Sequence, residues 1–314
     1  MSANTIEPLQ NLVQNANRGP SDIIWGNCPV LDIIECPERG MYMFDDFIGA
    51  PNIPTAASVA IAQGFNGNFS VYADIASTLT DGAAEGGVLT FNNTTTAKGI
   101  TLGPSAGAFR LITTSTNAPN GKLWFEARVT KNSITATKGE MFVGLMDSFL
   151  TSGLPTVAMP ISATPNVLST VPNLIGFHFK GNAPTDVNFV YQLAGGTAVY
   201  PTNLTTLLAT TTPPNVVLAA SAFIKVGFLF DPQAQFKTIA SASTGQTAGN
   251  VRRALLRIFV NGVELPAFLT TDNTAGAAFP TGFMGPVFAM MQQTSSSPPT
   301  AGIDWIRCCQ LAYT

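Results

Sequence analysis

Apolar residues recur at every second position in short runs through most of this 314-residue chain, and that pattern constrains its fold most. In KLWFEARVT (122–130), Leu123, Phe125, Ala127 and Val129 fall on one face of an extended strand. Trp124, Glu126, Arg128 and Thr130 fall on the other. EMFVGLMD (140–147) is apolar on both faces, as a covered central strand is, and the polar stretch between these two runs predicts a hairpin. Ile175, Phe177 and Phe179 alternate in the same way. So do Ile224, Val226, Phe228 and Phe230, until Asp231-Pro232 is expected to stop the strand. In RALLRIFVNGVELPAF, Asn261-Gly262 supplies the positive φ angles of a two-residue hairpin turn. Helical periodicity is confined to a short N-terminal face made of Ile6, Leu9 and Val13. About eight to twelve strands without intervening helices predict an all-β sandwich.

Composition narrows the class of function. Charged residues make up 11% of the chain, against about 25% in an ordinary soluble domain. Its surface is therefore built from hydroxyls and amides, which suits a protein locked into an assembly, where desolvating many charges is costly, and equally an extracellular protein. Net charge is −3 with no basic cluster, which excludes a phosphate-neutralising nucleic-acid surface. The start MSANTIEPLQ has neither a basic nor an apolar signal region, and no long apolar run predicts a membrane span. Cys28, Cys36, Cys308 and Cys309 lack zinc-ligand spacing. They are expected to be free thiols, with the vicinal pair pointing to opposite faces of a strand.

Motifs that could carry chemistry are few. Gly103-Pro104-Ser105-Ala106-Gly107 spells a nucleophile elbow, but another strand follows where that motif needs a helix. His178, the single histidine, lies in an alternating apolar strand. Glu126 is the best acid, yet its same-face neighbours along the strand are Trp124 and Arg128, and glycoside hydrolysis needs a second carboxylate. An ion pair with Arg128 accounts for Glu126 without catalysis. Asp45, Asp46, Asp147 and Asp304 could serve calcium, without any recognised loop spacing. No catalytic residue, metal or cofactor is predicted, and the chain is not expected to be an enzyme.

The first forty residues read differently. SDIIWGNCPVLDIIECPERG is apolar and broken by prolines, so residues 1–40 are expected to form an extended arm ahead of a sandwich over 41–314. Ile23, Ile24, Trp25, Val30, Leu31, Ile33 and Ile34 must be buried somewhere, against this chain or against a neighbouring one. Long stretches rich in Thr, Pro and Ala (151–172 and 194–214) are further candidates for contact.

The order of the motifs adds a resemblance. MYMFDDFIGA, GGVLTFNN, KLWFEARV, EMFVGLMD, FIKVGFLFDP, RIFVNGVEL, GPVFAMM and GIDWIRCCQ follow one another from Met41 onward. This series resembles structural proteins of tailed bacteriophages with a concanavalin A-like (laminin-G-like) jelly-roll domain. The resemblance implies a virion component assembled in the host cytoplasm, most simply a capsid decoration (cement) protein. Its expected partners are the major capsid protein and other copies of itself in a homo-oligomer, with no nucleic acid and no membrane. The alternative is a receptor- or glycan-binding domain on a head or tail fibre.

Overall fold

A computed structural model describes residues 18–47, 64–65, 69–73, 77–82, 87–104, 107–111, 121–135, 139–147, 160–183, 185–201, 218–239, 249–270, 279–293 and 299–312. Two short helices come first, α1 (Asp22–Trp25) and α2 (Val30–Glu35). The first strands are β1 (Gly40–Asp45), β2 (Gly64–Phe65), β3 (Phe69–Ala73), β4 (Ser77–Gly82), β5 (Val88–Asn93), β6 (Lys98–Pro104) and β7 (Phe109–Arg110). Next come β8 (Leu123–Lys131), β9 (Gly139–Asp147), β10 (Leu174–Phe179), β11 (Asn188–Gln192) and β12 (Phe223–Ile239). The last are β13 (Gly249–Val260), β14 (Val263–Thr270), β15 (Phe283–Gln292) and β16 (Thr300–Leu311).

Among the described residues these strands form two eight-stranded antiparallel sheets. Sheet A runs β14-β13-β12-β8-β16-β5-β4, with β1 beside β16. Sheet B runs β11-β10-β9-β15-β6-β3-β2, with β7 beside β15. The alternating residues face inward as read: Leu123, Phe125, Ala127 and Val129 from sheet A meet Met141, Val143, Leu145, Ile175, Phe177 and Phe179 from sheet B in one core. Phe125 stacks on Phe228, whose ring meets the edge of Phe189 across the sandwich.

Two strand expectations need correction. KLWFEARV and EMFVGLMD are not a hairpin: β8 pairs with β12 and β16 in sheet A, and β9 with β10 and β15 in sheet B. The connection crosses between sheets, and alternation alone could not show this because it fixes faces rather than partners. Asp231-Pro232 does not end β12 either. The strand continues to Ile239 through a register irregularity between Asp231 and Gln235. Pro232, which has no N–H to donate, sits where the ladder is already interrupted.

Sheet B is covered on its outer side by its own connections. Ile161 and Leu168 pair with each other and pack on Phe142, Met146, Leu174, Val190 and Val287, with Ala198 and Tyr200 against them. The described parts of the two long Thr/Pro-rich stretches therefore serve this chain's own sheet, which explains why β9 is apolar on both faces.

Candidate functional site

The outer face of sheet A carries a cap. Residues 18–39 are not an extended arm. They form α1, α2 and a 3-10 turn at Pro37–Arg39, laid over β8, β12 and β16. Prolines limit the helices to four and six residues, with Pro29 standing immediately before α2. Ile24, Trp25 and Ile33 point down and bury beside Trp124, Leu229, Phe259 and Cys309, with Val30 half-buried against them. Gly227 makes this approach feasible. A Cβ there would lie 2.8 Å from Ile24 Cδ1 and 2.7 Å from the Phe125 carbonyl oxygen.

A polar network lies beneath the cap. Glu126 is fully buried and accepts hydrogen bonds from the Ser21 backbone N–H (2.9 Å), the Ser21 hydroxyl (2.5 Å) and Trp25 Nε1 (2.8 Å). Ser21 precedes α1 but makes no side-chain cap bond to it, since its hydroxyl is committed to Glu126. Lys225 on β12 reaches the Gly19 carbonyl oxygen at 3.1 Å. Asp304 on β16, also fully buried, pairs with Arg18 at 2.7 Å and with Arg128. A bulge between Ile303 and Trp305 turns the chain so that Asp304 and Trp305 both reach the cap. Trp305 Nε1 donates to the Arg18 carbonyl oxygen at 2.5 Å. Arg307 lies 4.1 Å from the centre of the Trp25 ring.

The expected Glu126–Arg128 pair is therefore overturned. The segment that satisfies Glu126 lies 105 positions earlier, and Arg128 turns to Asp304 instead. A second acid does share that face, on the neighbouring strand rather than the same one, and residues 18–25 seal both carboxylates from solvent. One sequence signal could have revealed the network: Glu126 and Arg128 of β8, with Lys225 of β12, are charges within strands of a charge-poor chain and must be satisfied by something laid over them. Burial raises the Glu126 pKa above its ordinary value, against the pull of the Ser21 and Trp25 hydrogen bonds and of Lys225.

Not every cap side chain points down. Ile23, Leu31 and Ile34 are 62%, 74% and 55% exposed, and on the adjoining strand β1 Met41 and Phe44 are 39% and 41% exposed. A solvated helix normally turns a polar face outward. Here Leu31 and Ile34, three positions apart, line the outer side of α2 while Ile33 anchors it. Ile34, Met41 and Phe44 border an open groove of about 640 Å³ that Pro104 and Phe109 of sheet B close from the other side. The seven arm residues thus divide between two jobs: Ile24, Trp25 and Ile33 anchor, Val30 supports, and Ile23, Leu31 and Ile34 remain bare.

Elsewhere, His178 belongs to a hydrogen-bonded cluster. Its Nε2 lies 3.0 Å from a Glu140 carboxylate oxygen, and its Nδ1 lies 2.7 Å from the Tyr200 hydroxyl. Asn166 N–H also donates to Glu140. Burial lowers the His178 pKa, and brings that of nearby Lys131 down to about 8. Lys131 donates to the Gly139 carbonyl oxygen, and Lys180 sits 3.6 Å from the centre of the Tyr200 ring. This cluster ties the covering segment to sheet B. Among the described residues no group of three or more acids, histidines or cysteines could hold a metal. Asp45 instead accepts from the Phe47 N–H and Asp147 from Asn173. Ser105 and the face of Ile6, Leu9 and Val13 lie outside the described residues. The four cysteines are free thiols, with Cys308 in the sandwich core and Cys309 under the cap.

No protein-family model and no curated relative matches the sequence. Among solved structures, the Emp47p carbohydrate recognition domain aligns at 12% identity and TM-score 0.47, over 87% of this chain and 97% of that one. Peanut lectin aligns at 11% and 0.43, over 87% and 100%. A carbohydrate esterase from Shiga toxin-encoding bacteriophage phi24B aligns at 13% and 0.39, over 84% and 100%. With two antiparallel sheets packed face to face around one core, the chain is an all-β antiparallel sandwich.

Proposed function

We propose that this protein is a structural component of a bacteriophage virion, a decoration protein that binds the outer capsid shell and reinforces it. The observation that carries the reading is a ridge of exposed apolar side chains, Ile23, Leu31 and Ile34 on a cap clamped to sheet A and Met41 and Phe44 on the adjoining strand β1. The mechanism differs from that of a free arm. The cap is preorganised, so docking does not have to order a flexible segment, and burial of the ridge contributes about 25 cal/mol per Å² before association costs. Many copies on a symmetric shell would multiply weak contacts into a cross-link.

The test is a Leu31→Asp/Ile34→Asp double variant, measured for attachment to capsids stripped of the protein. Both side chains are exposed, so the fold should persist by circular dichroism while attachment drops at least tenfold. Undiminished attachment by the folded variant would remove the ridge from the account. Deleting residues 1–40 is a poorer test, because it would strip Glu126 and Lys225 of the cap groups they bond and leave Asp304 with Arg128 alone.

A glycan-recognition role on a fibre has one feature in its favour: Phe44 and Phe283 are exposed rings of the kind sugars stack on. A glycan array separates the two readings, since specific binding lost on Phe283→Ala with capsid attachment intact would favour the fibre role.

A further inference from the structure

Cys28 lies in the link between α1 and α2, where its N–H donates to the Trp25 carbonyl oxygen and its own carbonyl accepts from Val30. Its side chain packs on the cluster beneath the cap that includes Cys309 of β16. The Cys309 thiol of that cluster, together with burial, pushes the Cys28 pKa far up. Their surroundings differ. Cys309 is fully buried, whereas Cys28 is partly exposed on the wall of an open pocket of about 410 Å³, with Pro29, Leu31 and Arg307 around it. Cys308, next in the chain to Cys309, faces the opposite side of the strand and belongs to the sandwich core.

We propose that Cys28 and Cys309 are a disulfide site, a redox latch that covalently fastens the N-terminal cap to sheet A. The partner reagent is a small disulfide oxidant of the glutathione class. Deprotonated Cys28, the accessible member, attacks one sulfur of the oxidant, forming a mixed disulfide and releasing one thiolate. Cys309 then loses its proton and attacks the Cys28 sulfur, forming the protein disulfide and expelling the second thiolate. Two protons leave the protein, and the oxidant takes up two electrons as its disulfide is cleaved. The raised Cys28 pKa makes the first step slow at neutral pH and faster as pH rises. Closure would tie residue 28 to residue 309, so the cap could no longer lift from the sheet. The latch does not depend on what the ridge binds.

The full-length protein, incubated with oxidised glutathione and then alkylated, provides the test by intact mass and peptide mapping. The expected product has lost two hydrogens and two of its four alkylatable thiols, and yields a crosslinked pair of peptides containing Cys28 and Cys309. It should also unfold at a higher temperature than the reduced protein. Cys36→Ser should leave the product unchanged, and Cys28→Ser should abolish it. No oxidation, a glutathione adduct that persists on Cys28, or a bridge involving Cys36 or Cys308 overturns the proposal.

Discussion

Glu126 holds the cap because three donors converge on a carboxylate that has no access to water. Glu126→Ala would leave the Ser21 N–H and Trp25 indole N–H buried without acceptors, at a cost of about 2–4 kcal/mol. Glu126→Gln should cost no more than about 1 kcal/mol, since its carbonyl oxygen can serve the two N–H groups while its amide donates to the Ser21 hydroxyl. The pH dependence has a definite sign. Because the folded pKa is raised, the contribution of Glu126 is complete below the ordinary carboxylate range and is lost as pH rises through the raised value. Urea unfolding from about pH 4 to pH 7 should therefore show Glu126→Gln gaining on wild type as pH rises. His178 acts in the opposite direction. Its lowered pKa means that the unfolded chain takes up a proton first on acidification. Stability is then lost as pH falls below the ordinary histidine range, by at most about 1.4 kcal/mol per pH unit. Faster amide exchange at Asn166, which donates to Glu140 beside His178, would locate that loss; Lys131, Lys180 and Tyr200 also face this histidine.

At the scale of elements, the β13–β14 hairpin reaches the cap. Asn261 and Gly262 have φ of 50° and 75°, and a Cβ on Gly262 would lie 3.0 Å from Ser21 Oγ. Gly262→Ala should thus cost about 1–2 kcal/mol in chemical denaturation, through the left-handed backbone and through pressure on Ser21. That turn was legible because its chemistry is local: two adjacent residues set it. The faces of β8, β10 and β12 were legible for the same reason, since burial on one side imprints a period of two. What lay beyond reach was non-local. Alternation in β8 says nothing about whether β9 is its neighbour or its opposite, and the acceptor role of Glu126 depends on a segment over a hundred positions away. Helices α1 and α2 span too few residues to establish a 3.6 period, so DIIW and VLDIIE read as an extended apolar arm. The bulge that aims Asp304 at Arg128 and Arg18 has no sequence mark of its own.

For the molecule as a whole, the buried network sets how firmly the ridge is presented. Arg18 is partly exposed, yet it clamps a fully buried Asp304 that Arg128 also neutralises. Arg18→Ala should therefore loosen the cap without unfolding the sandwich, at about 1–2 kcal/mol, because Asp304 retains one partner. Under the proposed shell-binding role, a looser cap would have to be ordered again on docking, which would weaken attachment even though no ridge residue has changed. The expected result is a several-fold fall in capsid attachment with unchanged strand content by circular dichroism and faster amide exchange confined to residues 18–35. The effect should not add to that of Leu31→Asp/Ile34→Asp, since presentation matters only while there is a ridge to present. Attachment by Arg18→Ala equal to wild type, with the cap measurably loosened, would show that preorganisation of the cap contributes nothing to docking.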